Sequence, residues 1–278
     1  MNPQIAQQRT AIREAADYIR AKAPKPPVVG IILGTGMGAL AKDVQDAVVL
    51  DYQSIPHFPV STVESHAGRL HLGTFANKPV FMMQGRFHFY EGYSMKQVTF
   101  PIRVMRALGI DTLIVMNAVG SMNALIPSGS LVLVQDHINL MGDNPLIGPN
   151  DDELGPRFPD MSEPYNRELI KLAEQVALEK KIPGVHRGIM VSVTGPNLET
   201  AAEYRMFQRI GADIVTMSTV PEVIVAVHGG MRVLGISTVT DSCLPDALKP
   251  ASLEEIIKVA GSAEPRLSEL VRGIVAKL

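Results

Sequence analysis

The sequence predicts an α/β protein: three layers (αβα), with helices on both faces of a central mixed, mostly parallel sheet. Short apolar runs such as Val28–Leu33, Thr112–Asn117 and Arg232–Thr240 alternate with segments of helical periodicity. Those runs are apolar almost throughout rather than at every second position, the pattern of strands buried on both faces. Arg69–Phe75 and Pro79–Gln84 flank Ala76-Asn77-Lys78, a hairpin signal that makes the sheet mixed.

The elements follow in order. Residues 3–22 place Ile5, Ile12, Ala16 and Ile19 near helical spacing, and Ala23-Pro24-Lys25-Pro26-Pro27 ends that helix. The strand Val28–Leu33 runs into Gly34-Thr35-Gly36-Met37-Gly38. After the hairpin, Met95–Leu108 is helical, started or kinked by Pro101. Thr112–Asn117 and Ser130–Gln135 are strands, and Arg167–Lys180 is a strongly periodic helix. Strands at Gly188–Val193, Asp213–Met217 and Arg232–Thr240 alternate with helices at Thr200–Ile210 and Pro221–His228. Ser252–Leu278 is a terminal helical region, with Gly261 to Pro265 the place for a break.

No repeat and no interior linker divides the chain, so residues 1–278 are expected to form one domain, opened by an N-terminal helix within residues 1–25. Residues 141–165 are long for a loop, rich in Pro, Gly and Asp, with Phe158 isolated among them. They read as a surface loop, or as a lid or inter-subunit contact.

The 278 residues are 46% hydrophobic and 19% charged, enough to bury a large core and too apolar for a disordered chain. With 26 basic and 28 acidic residues the net charge is −2, which gives no basic footprint for nucleic acid. One cysteine, Cys243, excludes an internal disulfide and points to a reducing cytoplasm. Met1 to Arg20 lacks the apolar core of a signal peptide, and no run is long enough for a membrane span. A small-molecule partner is expected.

Six places could carry chemistry. Gly34-Thr35-Gly36-Met37-Gly38 could aim backbone N–H groups at an anion, with the Thr35 hydroxyl as a further donor. It could also be an ordinary turn or a dinucleotide loop. That last reading would need a G-x-G-x-x-G pattern with an acid roughly 20 positions on. Here the pattern is G-x-G-x-G, with Asp51 only 15 positions after Gly36. Arg86, His88 and Tyr90 alternate after a strand, so in extended chain a guanidinium, an imidazole and a phenol share one face, an oxyanion site. His66 lies in a loop close to that segment through the hairpin. Glu199 stands where a strand gives way to a helix, the ligand edge of an α/β sheet or simply a favourable helix-start carboxylate. Met217-Ser218-Thr219 precedes a helix; its hydroxyls could cap that helix in a box with Glu222, or its N–H groups could hold an anion. Thr240-Asp241 closes another strand. Nucleophile-elbow, P-loop and H-E-x-x-H motifs are absent, Asp151, Asp152 and Glu153 lack calcium-loop spacing, and the seven histidines form no ligand cluster. No metal site is expected.

Taken together, these segments resemble the trimeric class of the purine nucleoside phosphorylase family. The motifs are Ser61-Thr62-Val63 with His66-Ala67-Gly68-Arg69-Leu70, Met83-Gln84-Gly85-Arg86-Phe87-His88 with Tyr90-Glu91-Gly92-Tyr93, Gly195-Pro196 with Glu199-Thr200, and Gly211-Ala212-Asp213 leading into Met217-Ser218-Thr219-Val220-Pro221-Glu222. The resemblance runs from about Val28 to the final helix and implies a nucleoside phosphorylase-like fold. It also implies reversible phosphorolysis of purine nucleosides to free base and ribose 1-phosphate, with inorganic phosphate as co-substrate and no other cofactor.

By that resemblance Thr35, Arg86, His88, Ser218 and the Ala118 amide would hold phosphate, with His66 nearby. Tyr90 and Met217 would line the ribose, joined by Phe158 from a neighbouring subunit of a homotrimer. Leu198 would pack on the base, and Glu199 and Asp241 would bind it; His88, Glu199 and Asp241 are the catalytic candidates. Glu199 implies guanosine and inosine as the favoured substrates. Two departures point towards a 5′-methylthioadenosine or adenosine-type enzyme. Asp241 stands where 6-oxopurine-preferring members usually have Asn, and Leu253 falls at or near a His that contacts the 5′-hydroxyl in some members. A nicotinamide oxidoreductase is the alternative of another class, resting on the glycine loop and Asp51.

Overall fold

The computed structural model describes residues 2–62 and 67–278. Helix α1 (Pro3–Lys22) starts at Asn2, whose side chain accepts from the Gln4 amide at 2.9 Å, and it buries Ile12, Ala15, Ala16 and Ile19. There follow strands β1 (Val29–Leu33), β2 (Gln45–Asp51), β3 (Arg69–Phe75) and β4 (Lys78–Gln84), then helices α2 (Met95–Val98) and α3 (Phe100–Ala107). The chain continues through β5 (Thr112–Ser121), β6 (Leu131–Asn139), α4 (Arg167–Glu179), β7 (Val185–Ser192) and α5 (Ala201–Arg209). It ends with β8 (Ile214–Thr216), α6 (Val220–His228), β9 (Arg232–Ser242) and α7 (Leu253–Lys277).

Among the described residues the strands form one nine-stranded mixed sheet in the order β2-β3-β4-β1-β5-β8-β7-β6-β9. Five pairings are parallel (β1–β4, β1–β5, β5–β9, β6–β7, β7–β8) and four antiparallel (β2–β3, β3–β4, β5–β8, β6–β9). Because β5 pairs with both β8 and β9, strands β5 to β9 close into a ring, and β1 to β4 extend from it as an open sheet. Helices surround the sheet: α1 packs on α3, and α3 on α6, while α4 and α7 pack together.

Two local expectations change. The C-terminal region is one helix that runs through Gly261 and Pro265 without a break. It buries Ala260, Ala263, Leu267, Leu270, Val271, Ile274 and Val275, and that burial outweighs the roughly 3 kcal/mol an interior proline costs. Asp51 ends β2 at the outer edge of the sheet, with β3 and β4 between it and the glycine loop after β1, and it faces Arg69 at 3.3 Å. A dinucleotide fold needs its acidic residue on the strand beside the first, so the oxidoreductase alternative fails on topology.

Residues 141–165 carry no helix or strand. They are tied down all the same: Asp151, itself buried, receives both nitrogens of the Arg9 fork, and Arg103 donates to the Leu154 carbonyl at 3.3 Å.

Candidate active site

The C-terminal ends of β1, β4, β8 and β9 converge on one pocket. At β1 the close approach requires glycine. A Cβ on Gly34 would lie 2.8 Å from the Asn117 Cα of β5, so only a bare backbone lets the Thr35 loop come down beside that strand. Below it, Asn117 donates to Thr216 Oγ1 at 3.0 Å and accepts from Ser237 at 2.6 Å, joining three strands of the ring through one buried amide.

Arg86 follows β4 and is 1% exposed. Its Nη1 donates to the hydroxyls of Ser218 and Thr219, both at 3.0 Å, and its Nη2 to the Met116 carbonyl at 2.6 Å. Glu222 balances its charge from 3.5 Å, and the Arg86 Nε and Glu222 Oε2 atoms have no hydrogen-bond partner. The capping box expected at Glu222 is not formed, since the carboxylate turns to Arg86 and Thr219 makes no side-chain cap bond. Thr219 sits at φ 72° and ψ −53°, and the Val220 amide donates to the Ser218 carbonyl at 2.8 Å. This is a γ-turn at a β-branched residue, a conformation costing on the order of 1–3 kcal/mol. It aims the Ser218 and Thr219 hydroxyls together at the guanidinium.

His88 is held by Glu91. Its Nδ1 is 2.9 Å from Glu91 Oε1, which also accepts the His88 backbone N–H at 2.8 Å, while Glu91 Oε2 accepts the Thr62 amide (2.9 Å) and hydroxyl (2.6 Å). Burial would raise the Glu91 carboxyl, but the hydrogen bonds from His88 and Thr62 outweigh it and hold it down to about 2. An ionised Glu91 accepting at Nδ1 fixes the histidine tautomer. The His88 and Tyr90 rings stack at 4.7 Å and 13°. They come together because Phe89–Glu91 is a 3-10 turn, not the extended chain that the alternation implied. Burial, then the Glu91 charge, pushes the Tyr90 phenol up to about 12.

The opposite end of the pocket carries Glu199 and Asp241. Asp241 Oδ1 accepts from Thr240 Oγ1 at 2.7 Å and Oδ2 from the Cys243 thiol at 3.1 Å. Tyr204, on α5, lines the pocket beside Glu199 and Cys243. Burial, and after it the charges of Asp241 and Glu203, push the Glu199 carboxyl upward.

One pocket thus gathers Thr35, Arg86, His88, Tyr90, Ala118, Leu198, Glu199, Met217, Ser218 and Asp241, with Leu253 on its wall. His66 lies outside the described residues. Phe158 does not reach the pocket of its own chain; it is 88% exposed, with the Arg157 guanidinium 5.8 Å from its ring. Sequence reasoning missed Glu91, Tyr204 and Cys243 as supporting residues, and offered Thr219 only as a helix cap or part of an anion-binding turn. Glu91 had a usable signal, three positions after His88. Tyr204 and Cys243 had none, because only the fold brings α5 against the end of β9. Among the described residues no group of three His, Cys, Asp or Glu converges as a metal site, and no helix is long and apolar enough to cross a membrane.

The fold and pocket define an α/β protein that holds a buried arginine at one end of a cleft and a carboxylate pair at the other. The chain belongs to the phosphorylase superfamily, whose family model matches residues 28–276. It is 51% identical over 266 residues to purine nucleoside phosphorylase 1 of Bacillus subtilis, covering 96% of this chain and 98% of that one. Among solved structures it is similar to isoform 2 of the Schistosoma mansoni purine nucleoside phosphorylase in complex with cytosine and ribose-1-phosphate (TM-score 0.93, 39% identity, 97% of this chain and 96% of that one). It is also similar to a schistosoma purine nucleoside phosphorylase in complex with hypoxanthine (TM-score 0.90, 40% identity, 96% of each chain).

Proposed function

We propose that this protein is a pentosyltransferase that catalyses reversible phosphorolysis of purine nucleosides and 2′-deoxynucleosides, releasing free base and (deoxy)ribose 1-phosphate. Guanosine and inosine are the favoured substrates. The observation that carries this reading is the pairing, in one cleft, of the preset Arg86–Ser218–Thr219 cluster with the Glu199–Asp241 carboxylates. The relatives' names and the bound ribose-1-phosphate and hypoxanthine of the similar structures support it.

In this mechanism Arg86, His88, Ser218, Thr35 and the Ala118 amide bind phosphate, and His66 lies close to it. Tyr90 and Met217 support the ribose, and Leu198 packs on the base. The glycosidic bond breaks towards an oxocarbenium-like state, and the negative charge of phosphate beneath the sugar stabilises it before phosphate attacks C1′. Charge developing in the departing purine is met by Glu199 and Asp241. Catalysis is positioning plus preorganised electrostatics, without a covalent enzyme intermediate. Phosphate is the co-substrate, and the chemistry calls for no metal or other cofactor.

The chain works as one domain, in the cytoplasm, as a homotrimer in which residues 141–165 form the inter-subunit loop. The exposure of Phe158 outside its own pocket supports its donation to a neighbour. A second reading, a 5′-methylthioadenosine or adenosine-type phosphorylase, is favoured by Asp241 and by Leu253, an apolar residue on the pocket wall. Comparing inosine, guanosine and 5′-methylthioadenosine at one phosphate concentration separates the two. Faster turnover of inosine and guanosine is expected; exclusive turnover of methylthioadenosine would overturn the 6-oxopurine assignment, and turnover of none would overturn phosphorolysis.

A further inference from the structure

The carboxylate end of the pocket is not closed. Leu198, Glu199, Tyr204, Asp241, Cys243 and Ile256 line both that pocket and a second cavity of about 950 Å³. The two acids therefore stand where two spaces join, not at a back wall. The second space is bounded by the end of β9, by residues 247–252 and by the first turns of α7. One side of it is fixed by Ser128, which donates to the Thr240 carbonyl at 2.9 Å. Over the other side hangs α7. Ser252 caps this helix by accepting from the Glu255 amide at 3.1 Å, yet the helix buries nothing before Ala260. Leu253, Ile256, Ile257 and Ala260 follow the i, i+3, i+4, i+7 spacing of one apolar face. That face packs on the core from Ala260 onward, but Leu253 is 61% and Ile257 39% exposed, and Ile256 and Val259 are only partly covered. Leu253 and Ile256 face the pocket, and Ile256 and Val259 the second cavity.

We propose that this second cavity is a subsite for an apolar group carried on an exocyclic atom of the purine. The enzyme then phosphorolyses nucleosides whose six-membered ring bears an aryl or alkyl substituent. The inference rests on the phosphorylase reading and deepens its substrate class. Polar recognition of the base falls to Glu199 and Asp241, so the ring edge that carries the exocyclic atoms is turned to the junction. A substituent on that edge passes into the second cavity and lies along the uncovered face of α7, where burying its apolar surface is favourable.

Size and charge agree with that occupant. The cavity falls within the roughly 300–1,000 Å³ of small-molecule sites, ample for a benzyl group. Its two lysines, Lys249 and Lys258, face the acids Glu199, Asp241 and Glu255, so it offers no excess of cations to a second anion. The reaction itself is unchanged by the substituent. The C1′–N9 bond breaks, a phosphate oxygen bonds C1′, and the substituted base leaves with the electron pair of the broken bond. The proton of the hydrogen phosphate ends on that base.

The test compares kcat/KM for N2-benzylguanosine with guanosine, and for N6-benzyladenosine with adenosine, at one phosphate concentration. It uses the full-length protein, Val259→Trp and Ala247→Trp. In the unmodified protein at least one benzyl nucleoside should stay within about tenfold of its parent, and the one accepted reports which ring position faces the cavity. Either tryptophan fills the cavity and should lower that benzyl-to-parent ratio by about tenfold or more, leaving kcat/KM for the parent nearly unchanged. The two positions lie on different elements, α7 and the loop before it, so a folding defect at one leaves the other to decide. Rejection of both benzyl nucleosides by an enzyme that turns over a parent would overturn the subsite and leave phosphorolysis standing. So would a ratio that neither tryptophan moves. Turnover of no parent nucleoside would overturn both readings.

Discussion

Arg86 Nη1 donates to the Ser218 hydroxyl at 3.0 Å, joining residues 132 positions apart. That contact fastens the end of β4 to the turn ahead of α6 and fixes the arginine end of the pocket. Replacing Arg86 with Ala removes it together with the Thr219 and Met116 bonds. Phosphate KM is expected to rise and kcat to fall by on the order of 10²–10³-fold, as on losing a preorganised charge-stabilising group. Initial rates across a phosphate titration check this, and an unchanged phosphate dependence would refute the role of Arg86.

Glu222 is the nearest counter-charge of that arginine. Glu222→Ala leaves the guanidinium buried without its ion partner, which typically costs about 3–5 kcal/mol. Denaturant melts should show this loss together with a raised phosphate KM. Full stability in the variant would mean that the hydroxyls of Ser218 and Thr219 and the Met116 carbonyl suffice.

Glu91 makes stability pH-dependent in a stated direction. Its carboxyl lies at about 2 in the fold, against an ordinary value of 4.5. A depressed carboxylate stabilises the fold fully above its unfolded value and loses that contribution as pH falls through its folded value. Thermal melts should therefore fall between about pH 4.5 and 2, and Glu91→Gln should flatten that decline. An identical profile in the variant would contradict it.

Phe158 separates catalysis from stability. At 88% exposure its removal should change the melting of an isolated subunit little, within about 0.5 kcal/mol. If a neighbour lends it to the pocket, Phe158→Ala should raise nucleoside KM several-fold and leave phosphate KM alone. Sedimentation in parallel should find a trimer. A monomer with full activity would remove the inter-subunit role.

Much of this arrangement was legible because strand ends advertise themselves. The apolar runs before Gly34, Arg86, Ser218 and Asp241 mark buried strands, and the residue after such a run falls on the ligand edge of the sheet. What local pattern could not supply was pairing at long range. The ring forms because β5 is shared by β8 and β9, a partnership set by sheet curvature and packing. The capping reading at Glu222 was sound for an isolated helix start, but the buried Arg86 charge competes for the same carboxylate. Tyr204 and Cys243 look like ordinary core residues until the fold brings them beside the two acids of the pocket. Pro265 stays within α7 because Ala260 and Ala263 before it and Leu267, Leu270, Val271, Ile274 and Val275 after it are all buried.

The most direct test of the central claim is to incubate the protein with inosine, with and without inorganic phosphate, and quantify hypoxanthine and ribose 1-phosphate. Phosphorolysis predicts that both appear in equal amounts and only when phosphate is present. Hypoxanthine released at the same rate without phosphate, or no release of base from any purine nucleoside, would contradict it.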